Sequence, residues 1–291
     1  MTQIVLQHYT RPAARRHLWV GLLMAVIALL FALEQGLNWF AAHPAAANGL
    51  QASLLAGLAT GLGAIPVLFM RRPQERLMAP LLGLAGGMML AASLFSLLAP
   101  AVQIVASSDA PALLGALTAF ALMAGAAAMQ QLDQRMPHEH VETLGETGRP
   151  AQLGLVVAAI AIHNLPEGLA VGVASAAGVD HGMSLGIALQ NIPEGWIVAS
   201  ALLVLGTGPV RAALIALATG LVEPVGGLFG VVASTLAGAT LPIALAAAAG
   251  AMLWVVSHEL IPASHQPGRA GAGTAGLVAG FAIMTSLASV F

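Results

Sequence analysis

Residues 163–168 read His163-Asn164-Leu165-Pro166-Glu167-Gly168, and residues 190–195 read Gln190-Asn191-Ile192-Pro193-Glu194-Gly195. Each hexad sits inside an apolar run, 151–176 for the first and 183–206 for the second. A helix needs roughly 20 apolar residues to cross about 30 Å of hydrocarbon, so both runs can span a bilayer. On a helix, positions i and i+4 share a face. His163 therefore points with Glu167, and Gln190 with Glu194. Asn164 and Asn191 each lie three residues before their glutamate, on the adjoining part of that face. Each turn offers an imidazole or amide oxygen, a second amide oxygen and a carboxylate, which suit a first-row divalent ion. Pro166 and Pro193 each remove a backbone N–H and crowd the carbonyl four residues back. That frees the carbonyls of Ile162 and Leu189 for an ion or a water. Irregular backbone is tolerated at membrane depth where it lines a cavity or is buried in protein.

Outward from the hexads the chain stays apolar. Of its 291 residues 58% are hydrophobic and only 8% charged, against about a quarter charged in a soluble domain. Nine runs read as membrane spans: 18–40, 48–70, 78–105, 111–132, 151–176, 183–206, 210–237, 241–263 and 271–290. No strand-period alternation appears, which argues against a barrel. The abundant Ala and Gly let helices approach closely in lipid. Gly83/Gly87 and Gly226/Gly230 have small-xxx-small spacing, although 33 glycines in one chain make such pairs common by chance. There is no Cys, hence no disulfide or thiolate cluster, and a net charge of −2 offers no basic face for nucleic acid.

There is no Lys, and the ten Arg fall outside these runs except Arg211, the second residue of 210–237. Arg11, Arg15 and Arg16 precede the first span, and Arg71, Arg72 and Arg76 lie between the second and third. Arg135 and Arg149 lie between the fourth and fifth, Arg211 after the sixth and Arg269 after the eighth. All ten thus share one side, which places the N-terminus in the cytoplasm and the C-terminus outside. The first run has a rival reading as a secretory signal ending near Phe40-Ala41-Ala42-His43. Its length and poor cleavage site speak against that, and its removal would leave eight spans in the same orientation. The expected organisation is a cytoplasmic N-terminus with an extra helix over 1–47 and an eight-helix transport domain over 48–291. The domain's cytoplasmic loop, at about 133–150, carries His138, His140, Glu142 and Glu146. The two histidines are candidates for capturing metal from a His-rich tract, against the plainer reading of a solvated loop.

Within the spans of 48–291 lie four acidic residues, Glu167, Glu194, Glu223 and Glu259. A carboxylate at mid-helix costs about 2.5–3.5 kcal/mol on insertion scales, so together they cost on the order of 10 kcal/mol. No span holds an Arg or Lys away from its ends to neutralise them. Either they are protonated or a cation comes from outside. Aligned at an offset of 27, segments 163–176 and 190–203 share Asn, Pro, Glu, Gly, Val and Ala. The arginine topology runs the fifth span outward and the sixth inward. The motif is thereby an inverted repeat on interrupted helices, an architecture common in secondary transporters.

The paired hexads resemble the bacterial branch of the ZIP (Zrt/Irt-like) divalent metal transporters, from about residue 48 to the end. Supporting stretches are Gly86-Gly87-Met88-Met89-Leu90-Ala91-Ala92-Ser93, Gly220-Leu221-Val222-Glu223-Pro224 and Val255-Val256-Ser257-His258-Glu259-Leu260-Ile261-Pro262. The resemblance implies an all-α integral membrane protein with an eight-helix bundle divided three-two-three, plus the additional N-terminal helix. It further implies a two-metal centre. Met89, His163, Glu167, Gln190 and Glu194 match its first site. Asn164, Glu167, Asn191, Glu194 and Glu223 match the second, with Glu167 and Glu194 bridging. Asn191 stands where Asp is expected in close bacterial relatives. Three carboxylates facing two divalent ions then leave a net charge of about +1, which weakens the second site. Ala92 and Ser96, at i+3 and i+7 from Met89, are expected to line a path. His258 and Glu259 are read as an exit relay with His265, with a buried hydrogen-bonded pair as the rival.

The expected function is transport of divalent metal into the cytoplasm, zinc first, with cadmium, iron and manganese as alternatives. The metal is substrate, so no cofactor is expected, and the partners are the metal ions and the lipid bilayer, with a homodimer left open. The location is a bacterial inner membrane. No G-x-x-x-x-G-K-[ST] loop is present for ATP. An intramembrane metallohydrolase would need H-E-x-x-H, but His258-Glu259 is followed by Leu260-Ile261-Pro262. A channel would need an oligomeric filter or charged ring, and none is legible.

Overall fold

In hydrocarbon every backbone N–H and C=O must find its partner within the chain, and a helix provides one for each residue locally. The apolar runs accordingly fold as helices. The computed structural model describes residues 34–70, 75–135, 150–178, 182–237 and 241–290, together with Met24 and Phe31, and no strand occurs among them. The chain divides into two units, Met1–Ala47 and Asn48–Phe291. In the first, residues 34–42 are helical. His43 Nδ1 there donates to the Trp39 carbonyl at 2.8 Å, with its ring stacked on the indole.

Helix α1 (Pro44–Ala64) runs into a 3-10 turn at Ile65–Phe69. The helix α2 (Glu75–Ala91) continues through a π-helix, Ala92–Leu98, into α3 (Ala99–Ala106), and α4 spans Pro111–Arg135. The two hexads lie on α5 (Pro150–Ala177) and α6 (Met183–Val204). Helices α7 (Pro209–Gly220) and α8 (Glu223–Ala237) form the next crossing. After them come α9 (Leu241–Val255), a second π-helix at Val256–Leu260, α10 (Ile261–Ser264) and α11 (Ala270–Val290). Seven stretches among the described residues are long and apolar enough to cross a membrane. Helix α5, with 28 residues, rises about 42 Å and is an eighth by length.

Glycine sets the closest packing. Helix α2 lies along α11, α5 along α8 and α4 along α9. A Cβ at Gly83 or Gly87 would overlap the Gly273 or Leu277 carbonyl oxygen of α11, and one at Gly226 or Gly230 the Leu165 or Leu169 carbonyl oxygen of α5. Both small-xxx-small pairs are therefore true helix contacts. The outer face of α4 exposes Leu113, Leu117, Phe120 and Met123. An apolar stripe of this kind is at home against lipid and a liability in water.

Three expectations need correction. Helices α5 and α6 run unbroken through Pro166 and Pro193, so the hexads do not interrupt their helices. The interruption lies instead at Leu221–Val222, which divides the expected span 210–237 and makes Glu223 the first residue of α8. Pro224 cannot donate to the Gly220 carbonyl, and its ring crowds that group, which ends α7 there. Finally, the i+3/i+7 argument for Ala92 and Ser96 assumes an α-helix, whereas Ala92–Leu98 is a π-helix with i→i+5 bonding. The shared face from Met89 is lost, although Ser96 is buried.

Candidate metal-transport site

Helix α5 presents His163, Asn164 and Glu167, and α6 presents Gln190, Asn191 and Glu194, each set within little more than one turn. Glycine lets a third and a fourth helix reach them. A Cβ at Gly168 would overlap the Glu223 carbonyl oxygen, and one at Gly195 the Thr60 carbonyl oxygen. These glycines occupy the same place in the two hexads. One admits the start of α8, the other admits α1.

Asn164, Glu167, Gln190, Asn191 and Glu223 are all buried, and Glu194 is half-buried. Gln190 Nε2 donates to Glu167 Oε1 at 2.9 Å. Asn191 Nδ2 donates to Glu223 Oε1 at 2.6 Å and to the Ala56 carbonyl of α1 at 2.9 Å. Each amide thus commits its nitrogen to one oxygen of a carboxylate. Glu167 Oε2, Gln190 Oε1, Asn191 Oδ1, Glu223 Oε2 and both amide atoms of Asn164 are buried and have no hydrogen-bond partner among the described residues. Leaving such groups unpaired is costly, and a set made up chiefly of acceptors calls for a cation. Glu194 stands within Coulombic reach of Glu167, Glu223 and His163. Among the described residues no three His, Asp or Glu converge as a ready cage of metal ligands, and the amides are the further candidate donors. Met89 is buried in the main apolar cluster, beside Met88, Met129, Met252 and Met284.

The expected relay of His258, Glu259 and His265 divides in two. Glu259 Oε1 lies 2.7 Å from His163 Nε2, which ties the second π-helix to the first hexad. The neighbouring His258 stacks on Trp254 with ring centroids 4.8 Å apart, and its Nε2 is 3.9 Å from Asp133 Oδ2. His265 bonds elsewhere: Nδ1 to Ser264 Oγ and the Ile261 carbonyl, Nε2 to Thr274 Oγ1. Its bonds are confined to its own turn and the start of α11, which removes it from the relay. Sequence reasoning missed Asp133, which is buried near the end of α4. It lies one residue beyond the predicted span, so it was not counted among the membrane carboxylates. His138 and His140 lie outside the described residues.

A buried, oxygen-rich centre between membrane-crossing helices marks a multi-pass membrane protein with a candidate cation site. Comparison with known proteins agrees with that class. Residues 125–288 match the family described as ZIP Zinc transporter. Zinc transporter GufA of Myxococcus xanthus is 46% identical over 244 residues, covering 81% of this chain and 95% of the relative. Zinc transporter ZIPB of Bordetella bronchiseptica is 43% identical over 242 residues, with 79% and 76% covered. Zinc transporter ZupT of Akkermansia muciniphila is 33% identical over 250 residues, with 79% and 92% covered. This chain belongs to the ZIP family.

Proposed function

We propose that this protein carries divalent metal ions, zinc foremost, across a bacterial inner membrane into the cytoplasm. The proposed centre is formed by His163, Asn164, Glu167, Gln190, Asn191, Glu194 and Glu223, with Met89 as a soft donor at its edge. The observation that carries this reading is the pair of buried amide–carboxylate bridges, Gln190–Glu167 and Asn191–Glu223, with both free oxygens of each bridge lacking a donor. No Lys exists in the chain and the one Arg in a predicted span, Arg211, is the second residue of 210–237, so an entering cation is the natural counter-charge. A divalent ion exchanges part of its water shell for these oxygens. His163 adds a borderline-soft nitrogen suited to zinc, with cadmium, iron and manganese as competitors. From His163 the ion passes to Glu259, His258 and Asp133, towards the Arg135 end of α4. That end faces the cytoplasm by the distribution of positive charge.

Alternating access is supported by the way glycines sort the helices. Where a Cβ on glycine would overlap backbone of another helix, the partners are α1 with α6 and α7, α5 with α8, α2 with α10 and α11, or α4 with α9. Between these groups, Gly186 of α6 meets only side chains, Met284 and Leu287 of α11. Backbone interlocking resists sliding and side-chain contact permits it, so α6, with α1 and α7, can shift against α11 and carry its share of the centre. Transport rather than hydrolysis is the reading, since Glu259 is held against His163 and the second His of H-E-x-x-H is absent. The apolar outer face of α4 serves lipid or a second copy in a homodimer.

Zinc entry into liposomes holding the purified protein tests the proposal, read with an entrapped indicator. Cadmium, iron and manganese are added as competitors and a pH gradient is imposed. Uptake above protein-free liposomes is expected. No uptake of any divalent ion by folded protein defeats it.

A further inference from the structure

Asn191 makes two contacts that only an amide can make together. Its Nδ2 faces the Ala56 carbonyl at 2.9 Å and Glu223 Oε1 at 2.6 Å. A backbone carbonyl can only accept, so the nitrogen and not the oxygen of the amide must face Ala56. The main chain of α1 thereby fixes how this side chain points. One amide hydrogen goes to each acceptor, which joins α6 to both α1 and the start of α8. Asn191 Oδ1 and Glu223 Oε2 remain, buried and without a donor.

We infer that Asn191 does the work of a second cation, and that the centre holds one divalent ion at a time because of it. The inference rests on the transport reading of this same site. A carboxylate that serves two ions needs its oxygens turned to them, and here Glu223 has one oxygen taken by an N–H. That N–H supplies the positive end of a dipole without adding charge. Glu167, Glu194 and Glu223 leave one negative charge over with one divalent ion and one positive charge over with two. An excess of either sign is costly in a dry site, but the Asn191 N–H on Glu223 offsets only the negative one, and the further carboxylate nearby, Glu259, is already engaged with His163. Asn191 is thus a positioning residue that sets the number of ions through Glu223.

A carboxylate at this position behaves differently. In Asn191→Asp an oxygen would face both the Ala56 carbonyl and Glu223, with no hydrogen between them. A second cation relieves that repulsion. Zinc and cadmium are counted by calorimetry on purified full-length protein, and thermal unfolding is followed with and without each metal. The count at the centre is the number of ions lost in the Glu167→Ala/Glu194→Ala double variant, so ions held on surface histidines cancel. The parent is expected to hold one ion there, and Glu223→Gln to hold one still. Asn191→Asp is expected to hold two, to gain more in unfolding temperature from zinc than the parent does, and to return to one when combined with Glu223→Gln. If Asn191→Asp cannot be purified, the parent and Glu223→Gln decide alone. One ion in both supports the inference, and two falling to one overturns it. An unchanged count in folded Asn191→Asp also overturns it. A parent that binds no divalent ion and shows no flux defeats the transport reading itself, whereas two ions with flux intact defeats only this inference.

Discussion

Glu259 lies on the second π-helix, next to His258 in the chain. Read along its own helix it belongs with His258. In the fold its Oε1 meets His163 Nε2 at 2.7 Å, and a carboxylate behind a histidine fixes the ring's orientation and tautomer. Glu259→Gln should therefore lower zinc affinity or flux by roughly 10–100-fold, the usual cost of losing such a partner. His265→Ala should leave flux within about twofold, because its bonds go to Ser264, Ile261 and Thr274 and none reaches His163, Glu259 or His258. Initial zinc uptake by the two variants checks both, and equal losses would contradict the division of the relay. The hexads were legible because i, i+4 spacing is a local property of one helix. The His163–Glu259 pair was not, because it depends on how two distant helices meet. The opposite amide contacts of Gln190 and Asn191 are hidden in sequence for the same reason.

Among the elements, proline proved an incomplete guide. Pro80, Pro166 and Pro193 lie inside continuous helices, whereas the break falls before Glu223-Pro224. There Gly220 packs against Gly57 of α1 closely enough that a Cβ would overlap its carbonyl oxygen. Glycine beside proline was the available signal for that break. Neither π-helix was legible, since nothing in residue type distinguishes Ala92–Leu98 or Val256–Leu260 from an α-helix. Glycine contacts allow a stability test. Gly168→Val should lower the unfolding temperature by roughly 5 °C or more, as overpacking against rigid backbone does. Gly115→Ala should be neutral or mildly stabilising, since its Cβ would make only ordinary contact with Val105 at 3.5 Å inside α4.

For the molecule as a whole, the apolar runs carried most of what the structure shows. The eight predicted spans of 48–291 coincide with the observed crossings to within a few residues at each end, because span length is set by bilayer thickness rather than by tertiary detail. Sequence could not tell which helices interlock, as that requires knowing which glycines face which backbones. Orientation is testable directly, because the chain contains no Cys and single cysteines can be introduced. A cysteine at 108 should react with an impermeant reagent only from outside, and one within 138–146 only from the cytoplasmic side. The reverse pattern would overturn the orientation. The central claim is that buried carboxylates on α5 and α6 carry the ion. Glu167→Ala and Glu194→Ala each remove negative charge that no other side chain in the spans replaces. The most direct test is zinc uptake by liposomes holding each variant, alongside the parent at equal protein density and with matched unfolding profiles. Uptake is predicted to fall to the protein-free rate in both, and near-parental uptake in either folded variant would contradict the account.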